Sequence, residues 1–182
     1  MIIGILGYKR HGKDTIADYL VNNHNFVKYS LATPLKEALQ VLFNFTDNQL
    51  NGDEKEVVDP TWGVSPRQTM QYVGTELFRN NISNLLPNVG LDFWLKCLEN
   101  KIKKSGNQKI VIADIRFENE AAFIKKMGGV IWKVRRNIIN NDTHESESNI
   151  DHISYDYLIK NKSSIENLYN NIELAINSTQ KI

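Results

Sequence analysis

The first 15 residues constrain the fold most strongly, because they place a glycine-containing loop between a strand pattern and a helix pattern. The apolar run Ile2–Leu6 is followed, over residues 7–15, by Gly-Tyr-Lys-Arg-His-Gly-Lys-Asp-Thr. A glycine, four variable residues and Gly-Lys in this context form the skeleton of a phosphate-binding P-loop. Its glycines let backbone N–H groups point at a phosphate, and the helix N-terminus adds positive potential. We therefore predict that Lys13 reaches the outer phosphates of a bound nucleotide.

One position of this loop departs from the general pattern. Asp14 stands where Ser or Thr normally offers a hydroxyl to magnesium, and Thr15 comes one place later. Magnesium prefers oxygen ligands and keeps several waters. Asp14 is therefore the candidate magnesium ligand, either directly or through water. The alternative is a glycine-containing turn that binds nothing, and the lysine in its strand-to-helix context argues against it.

Composition excludes several classes of protein. Hydrophobic residues account for 41% of the chain and charged residues for 24%, which is ordinary for a globular protein. The 22 basic and 21 acidic residues leave a net charge of +1, so the chain as a whole does not attract nucleic acid. The single cysteine excludes an internal disulfide, and no apolar stretch approaches the ~20 residues that span a bilayer. We expect a cytoplasmic protein without nucleic-acid or membrane partners, as either a monomer or a homodimer.

The alternation of strand and helix patterns predicts the fold class. Helix patterns separate the expected strands, which indicates right-handed crossovers and a mainly parallel sheet. We therefore expect an α/β protein with a three-layer α/β/α P-loop NTPase fold, in one domain over residues 1–182. Within it, residues 46–64 lose periodicity and are predicted to form a long connection or a mobile flap. The five expected strands lie at 2–6, 26–31, 109–114, 130–134 and 156–160.

Two further segments carry candidate ligand contacts. A helix is predicted to begin at Ser65, a cap that is followed by a proline, and to present Arg67, Gln71 and Gly74 along one strip. An arginine, an amide and a glycine on one strip allow a ligand to approach closely. The strand at 109–114 is continuously apolar and ends in a carboxylate, as expected of a central parallel strand.

Ligands of parallel sheets bind beyond the carboxyl ends of the strands, where Asp114 and Arg116 are expected to project. Three roles remain open for Asp114: holding magnesium indirectly, accepting a proton from a substrate hydroxyl, or orienting Arg116. Glu120 lies four residues beyond Arg116 on the same helical face. A structural ion pair between Arg116 and Glu120 is therefore as good an interpretation as a ligand contact.

Several segments, in the same order along nearly the whole chain, resemble the viral deoxynucleoside monophosphate kinases. The aspartate after the P-loop lysine, unusual in the general motif, is usual in that family. So is the Asp-Thr-His-Glu loop at 142–145, which contains His144 and Glu145. The other resembling segments are 9–15, 67–76, Phe-Trp-Leu-Lys at 93–96, Asp114-x-Arg116-x-x-x-Glu120 and Met-Gly-Gly at 127–129.

The resemblance implies a kinase that uses ATP and magnesium to phosphorylate deoxynucleoside monophosphates, supplying precursors for viral DNA synthesis. It also implies a substrate-covering segment around residues 46–90 and a short lid-like loop around 136–150. ATP phosphates and magnesium would be held by Gly12, Lys13, Asp14 and Thr15. The monophosphate pocket would be formed by Lys9, Arg67, Gly74, Trp94, Asp114, Arg116 and Glu120.

The chemistry of these residues fits the implied activity. Lys9 and Arg67 suit an acceptor phosphate, whereas Trp94 suits either stacking on a base or a place in the core. Arg136, at a strand end before the lid-like loop, is predicted to act on the transferring phosphoryl group. Asn161 is predicted to border the adenine of ATP. The candidate catalytic residues are Lys13, Asp114, Arg116 and Arg136.

Two other functions remain open. The same fold and ATP site suit a kinase of another small phosphorylated metabolite, such as dephospho-coenzyme A. A nucleotide-binding switch without small-molecule kinase activity is the alternative from another class. The Asp114-x-Arg116 motif and a second cluster of basic residues argue against the switch.

Overall fold

A computed structural model of the chain describes residues 1–136, 150–162 and 164–179. The chain divides into two compact units, which we call the sheet unit (Met1–Ser30 with Ser105–Ile182) and the helical unit (Leu31–Lys104). In chain order the α-helices of the described residues are α1 Lys13–His24, α2 Thr33–Phe43, α3 Asp47–Asn51, α4 Pro66–Gln71, α5 Phe93–Ser105, α6 Glu118–Lys126 and α7 Ile165–Thr179.

The sheet unit contains a five-stranded sheet with the strand order β2-β3-β1-β4-β5. Each neighbouring pair of these strands is parallel, which confirms the expected sheet. Outside β2, every strand end lies within one residue of its sequence-based bound, whereas β2 is three residues long instead of six. The strands are β1 Ile2–Leu6, β2 Val27–Tyr29, β3 Ile110–Ile115, β4 Val130–Arg135 and β5 Tyr157–Lys160.

Helices cover both faces of this sheet, because its central strands are apolar on both sides. On one face, Ile3 of β1 and Trp132 of β4 lie in one buried cluster with residues of α1 and α7. On the other face, α6 packs against β1 and β4. A Cβ on Gly4 would lie 2.8 Å from Ile131 Cδ1 of β4, so the glycine leaves room on this face for the side chain of Ile131. The three-layer α/β/α arrangement is thereby confirmed.

The helical unit has its own small core, in which Leu35 and Leu39 of α2 are buried with Phe45 and Leu50. A long connection or a mobile flap was predicted for residues 46–64, and the structure shows regular elements within it. This segment contains α3 and a 3-10 helix at Asp53–Glu56. Thr46 and Gln49 form a reciprocal capping box at the start of α3. The polar residues that read as a loop are therefore in part helix caps.

The helix predicted from Ser65 begins there, with Ser65 and Gln68 as a capping box. However, α4 ends at Gln71, and the chain continues as a π-helix over Tyr72–Asn81. A π-helix has more residues per turn than an α-helix. The strip that α-helical spacing predicted for Arg67, Gln71 and Gly74 therefore does not continue past Gln71. The patterns that we read at α-helical spacing carry no signal for such a change of repeat.

Candidate functional site

The loop between β1 and α1 is held in an unusual backbone conformation. Arg10 and Gly12 have positive φ values of 65° and 102°, and the N–H group of His11 donates to Tyr8 O at 3.2 Å. Gly12 is the N-cap of α1. A Cβ at Gly12 would lie 2.7 Å from Asn161 Nδ2, so both the backbone angle and the available space require glycine.

Lys13 is the first residue of α1, and its side chain turns back into the loop. It is buried, and its ammonium donates to Gly7 O at 2.6 Å and to Tyr8 O at 2.9 Å. These bonds hold the positive charge in the concave side of the loop, at the N-terminus of a helix. Both features favour an anion at this point.

A cavity of about 390 Å³ opens beside this loop in the sheet unit. It brings together every residue that the sequence assigned to ATP, and also Arg136; binding of ATP there stays a prediction. Ile165 and Leu168 of α7 were not foreseen as cavity residues, because apolar residues at helical spacing indicate only that a helix packs on a core. The lining residues are Arg10, Gly12, Lys13, Asp14, Thr15, Arg136, Asn161, Ile165 and Leu168.

The carboxylate of Asp14 is engaged by a lysine of β2. Lys28 Nζ lies 3.0 Å from Asp14 Oδ1 and 2.9 Å from Asp18 Oδ1. Partial burial lowers the pKa of Lys28, but the hydrogen bonds to Asp18 and Asp14 outweigh it, and the net shift is upward. Asp14 remains largely exposed. A magnesium ion at Asp14 would share this carboxylate with Lys28 or displace the lysine.

Asp114 lies near the carboxyl end of β3, at the edge of the sheet where the P-loop follows β1. Its Oδ2 accepts a 2.5 Å hydrogen bond from the hydroxyl of Ser30, which follows the neighbouring strand β2. The carboxylate therefore already accepts a hydrogen bond from a hydroxyl group. The three roles considered for Asp114 stay predictions.

Glu120 is buried and caps the N-terminus of α6. Its Oε2 accepts hydrogen bonds from the backbone N–H groups of Arg116, at 2.8 Å, and Phe117, at 3.1 Å. The contact that the structure shows between these residues joins Glu120 to the backbone of Arg116, and the ion pair between their side chains stays a prediction. Capping satisfies helix N–H groups that would otherwise have no intrahelical partner.

Three of the residues assigned to the monophosphate pocket lie in the helical unit. Arg67 Nε lies 3.0 Å from Glu56 Oε1. The indole N–H of Trp94 donates to Gly74 O at 2.9 Å, and a Cβ on Gly74 would lie 2.7 Å from Leu35 Cδ2. Gly74 therefore allows a close approach of a leucine, and Trp94 packs against the core of this unit.

The remaining pocket residues, Lys9, Asp114, Arg116 and Glu120, lie in the sheet unit. A single pocket that contains all seven residues stays a prediction. The lid-like loop around 136–150, with His144 and Glu145, lies outside the described residues apart from its two ends. Arg136 is exposed, and its N–H donates to His11 Nδ1 at 3.3 Å.

Within the part of the chain that the structure describes, every helix is too short or too polar to span a bilayer. In the same residues, no group of three or more His, Cys, Asp or Glu side chains is placed to hold a metal ion.

Comparison with known proteins identifies the family. The family described as deoxynucleotide monophosphate kinase matches residues 1–57 and 49–172. A protein of Acanthamoeba polyphaga mimivirus that carries the name of this kinase is 37% identical over 191 residues, covering 100% of this chain and 99% of the relative. The deoxynucleotide monophosphate kinase of Enterobacteria phage T4 is 26% identical over 240 residues, covering 94% of this chain and 97% of the phage protein.

Among solved structures, dephospho-CoA kinase from Campylobacter jejuni superposes with a TM-score of 0.54 at 16% identity, covering 99% of this chain and 97% of the other. At this identity the likeness shows the fold alone, and it agrees with the three-layer arrangement around the P-loop. The family match extends over most of the chain, and the mimivirus relative aligns with all of it. The chain therefore belongs to the deoxynucleotide monophosphate kinase family.

Proposed function

We propose that this protein transfers the γ-phosphoryl group of ATP to a deoxynucleoside monophosphate. An oxygen of the acceptor phosphate forms a bond to the γ-phosphorus, the bond from that phosphorus to the β–γ bridging oxygen breaks, and ADP leaves. The diphosphates would supply precursors for viral DNA synthesis in the cytoplasm. The observation that carries the proposal is the cavity in which the P-loop lysine meets Arg10 and Arg136, in a chain of this family.

The charge of the cavity suits phosphoryl transfer, which depends mainly on alignment and on stabilisation of negative charge. Lys13 is held at the loop, and the two arginines enter from the loop and from the end of β4. Ile165 and Leu168 give the far side an apolar surface that suits a nucleobase. One cavity thus offers a polar region for phosphates and an apolar wall for a base.

The oxygen donors present fit magnesium in the form in which nucleotide enzymes use it. Asp14 and Thr15 line the cavity and can supply a carboxylate and a hydroxyl. Magnesium is commonly held by one or two carboxylates together with substrate phosphates and waters. When bound it would neutralise phosphate charge, and Lys13 would contribute the fixed positive charge of the protein.

The acceptor is assigned to residues of both units. In the sheet unit we propose Lys9 and Arg116 for the acceptor phosphate, and Asp114 for a sugar hydroxyl. In the helical unit we propose Arg67 for the same phosphate, with Trp94 beside the base. The hydrogen bond from Ser30 fixes the orientation of the Asp114 carboxylate, and this orientation supports its part of the assignment.

The direct test is ADP formation in the presence of magnesium and each common deoxynucleoside monophosphate. We expect stimulation by one or more of dGMP, dTMP and modified dCMP, and a loss of at least about 100-fold in kcat for Lys13→Ala. Lys126→Ala is the matched control, because Lys126 is an exposed lysine on α6. If ADP forms only with another phosphorylated metabolite, that metabolite is the acceptor and the deoxynucleoside monophosphate is not. Slow ATP hydrolysis at the same rate with and without any acceptor would favour a nucleotide-binding switch.

A further inference from the structure

Asn161 connects the end of β5 to the phosphate loop. Its side-chain Nδ2 donates to His11 O at 3.0 Å, in a buried bond. Its backbone N–H donates to Arg135 O at 2.8 Å, at the end of the neighbouring strand β4. Asn161 is therefore held by the sheet through its backbone and by the phosphate loop through its side chain.

The carbonyl that Asn161 binds lies at the most constrained point of the loop. His11 stands between Arg10 and Gly12, both of which have positive φ values. A non-glycine residue such as Arg10 persists in this conformation only where its surroundings hold it. The direction of the His11 peptide also determines where the following N–H groups of Gly12 and Lys13 point.

We propose that Asn161 is a positioning residue of the phosphate loop, which acts by holding the carbonyl of His11 and not by recognising adenine. The inference rests on the proposed function in one respect, since it takes the loop as the site of the ATP phosphates. With only 9% of its surface exposed, Asn161 has little area left for a base. Its amide also lies against Gly12, where a Cβ would come within 2.7 Å of Nδ2.

A neutral amide suits this position better than a carboxylate of the same shape. An N–H group can donate to a carbonyl oxygen, whereas the carboxylate of Asp at this place would face that oxygen with a negative charge. The same carboxylate would lie in the cavity that Lys13 and Arg136 line. Asparagine therefore supplies the bond to the loop without repelling phosphate.

The test compares ATP with inorganic tripolyphosphate, a probe that has phosphates but no base. Binding of each is measured by titration calorimetry on the full chain carrying Asn161→Ala. We expect both affinities to fall by a similar factor, about tenfold for one lost hydrogen bond to a strained loop. In kinetics, KM for ATP should rise by that factor while KM for the acceptor stays constant.

Asn171→Ala is the matched control. Asn171 Nδ2 also donates to a backbone carbonyl at 3.0 Å, but that carbonyl belongs to Lys160 and the residue lies outside the cavity. This variant should bind both probes as the unchanged protein does. If Asn161→Ala does not fold, Asn161→Leu removes the donor while filling a similar volume, and the same comparison applies.

Two results would overturn the inference. A fall in ATP affinity with unchanged tripolyphosphate affinity would assign Asn161 to the base, and no fall in either would remove its role in the loop. Failure of the proposed function is a separate outcome, because binding does not require turnover. A chain whose affinity for tripolyphosphate depends on Asn161, but which phosphorylates no deoxynucleoside monophosphate, would keep this inference and reject that function.

Discussion

The ammonium of Lys133 lies 2.8 Å from the carboxylate of Asp151, and the lysine side chain is only 7% exposed. The other oxygen of Asp151 accepts a 2.8 Å hydrogen bond from the hydroxyl of Tyr8 in the P-loop. Lys133 also donates to Ile150 O at 3.2 Å. One carboxylate therefore connects the chain that follows residue 149 to β4 and to the phosphate loop.

Replacing this carboxylate should destabilise the protein. In Asp151→Asn, the buried ammonium of Lys133 loses its counter-charge, and we expect the free energy of unfolding to fall by about 1–3 kcal/mol. Urea denaturation at pH 7 measures the change. Lys103→Gln is the control, because Lys103 pairs with Glu99 on the surface and is 68% exposed. That variant should change stability by no more than about 0.5 kcal/mol. Equal stability of the two variants would contradict the importance of the buried pair.

The same pair predicts a dependence on pH. Hydrogen bonds from Lys133 and then from Tyr8 hold the pKa of Asp151 below its ordinary value. A lowered folded-state pKa stabilises the protein above the unfolded-state pKa of about 4, and this contribution is lost as pH falls through the folded-state pKa. The difference in unfolding free energy between the unchanged protein and Asp151→Asn should therefore be constant from about pH 7 to 5 and shrink below about pH 4. A difference that grows on acidification would show the opposite sign.

Gly12→Ala should be damaging for two separable reasons. The φ of 102° is unfavourable for alanine, and the new Cβ would meet Asn161 Nδ2 at 2.7 Å. We expect a loss of about 2–4 kcal/mol in stability, together with weaker ATP binding. Gly106→Ala isolates the backbone contribution, because Gly106 has a φ of 67° with no atom within 4 Å of a Cβ. It should cost about 1–2 kcal/mol, and an equal loss in both variants would exclude the contact with Asn161.

Arg67 and Glu56 allow the acceptor assignment to be tested with a paired control. If Arg67 binds the acceptor phosphate, Arg67→Ala should raise KM for the deoxynucleoside monophosphate about 10- to 100-fold and leave KM for ATP unchanged. Glu56→Gln breaks the same 3.0 Å ion pair but keeps the guanidinium. Its KM for the monophosphate should stay constant or fall. A similar rise in both variants would mean that the ion pair has a structural role only.

Substitution of Glu120 distinguishes a role as helix cap from a role in binding the monophosphate. Glu120→Ala removes the acceptor of two backbone N–H groups, so we expect a loss of about 1–2 kcal/mol in stability. Glu118→Ala is the control, since Glu118 is an exposed acid in the first turn of the same helix and should contribute only a few tenths of a kcal/mol. Steady-state kinetics on the folded variants then test the monophosphate site. A loss of stability without any change in KM would leave Glu120 as a cap alone.

The phosphate loop could be predicted in detail because its signal is local. The order of glycines, lysine and flanking apolar residues specifies the turn, the helix that follows and the place of Lys13. By contrast, the helices between residues 47 and 56 were missed, because Thr46 and Gln49 are typical both of loops and of helix caps. The π-helix after Gln71 was missed as well, because we read every helix there at the α-helical repeat.

The contacts of charged side chains were harder to predict from the sequence than the phosphate loop. The spacing of Arg116 and Glu120 suggested an ion pair between their side chains, whereas the folded chain shows the carboxylate bound to the backbone N–H of Arg116. The pairing of Asp14 with Lys28 was not predicted at all. It joins α1 to β2, and no periodic pattern relates two residues on different elements.

By itself the sequence determined the parallel α/β arrangement, the P-loop and the resemblance to a kinase family, because each is encoded by residues that are close together in the chain or by the order of such segments. The tertiary structure alone decided which side chains hold the loop in place. Asn161 and His11 lie 150 positions apart, and Tyr8 and Asp151 lie 143 apart. Such bonds form only when the sheet brings the ends of its strands to one edge, so the fold assembles the loop's supports from distant parts of the chain.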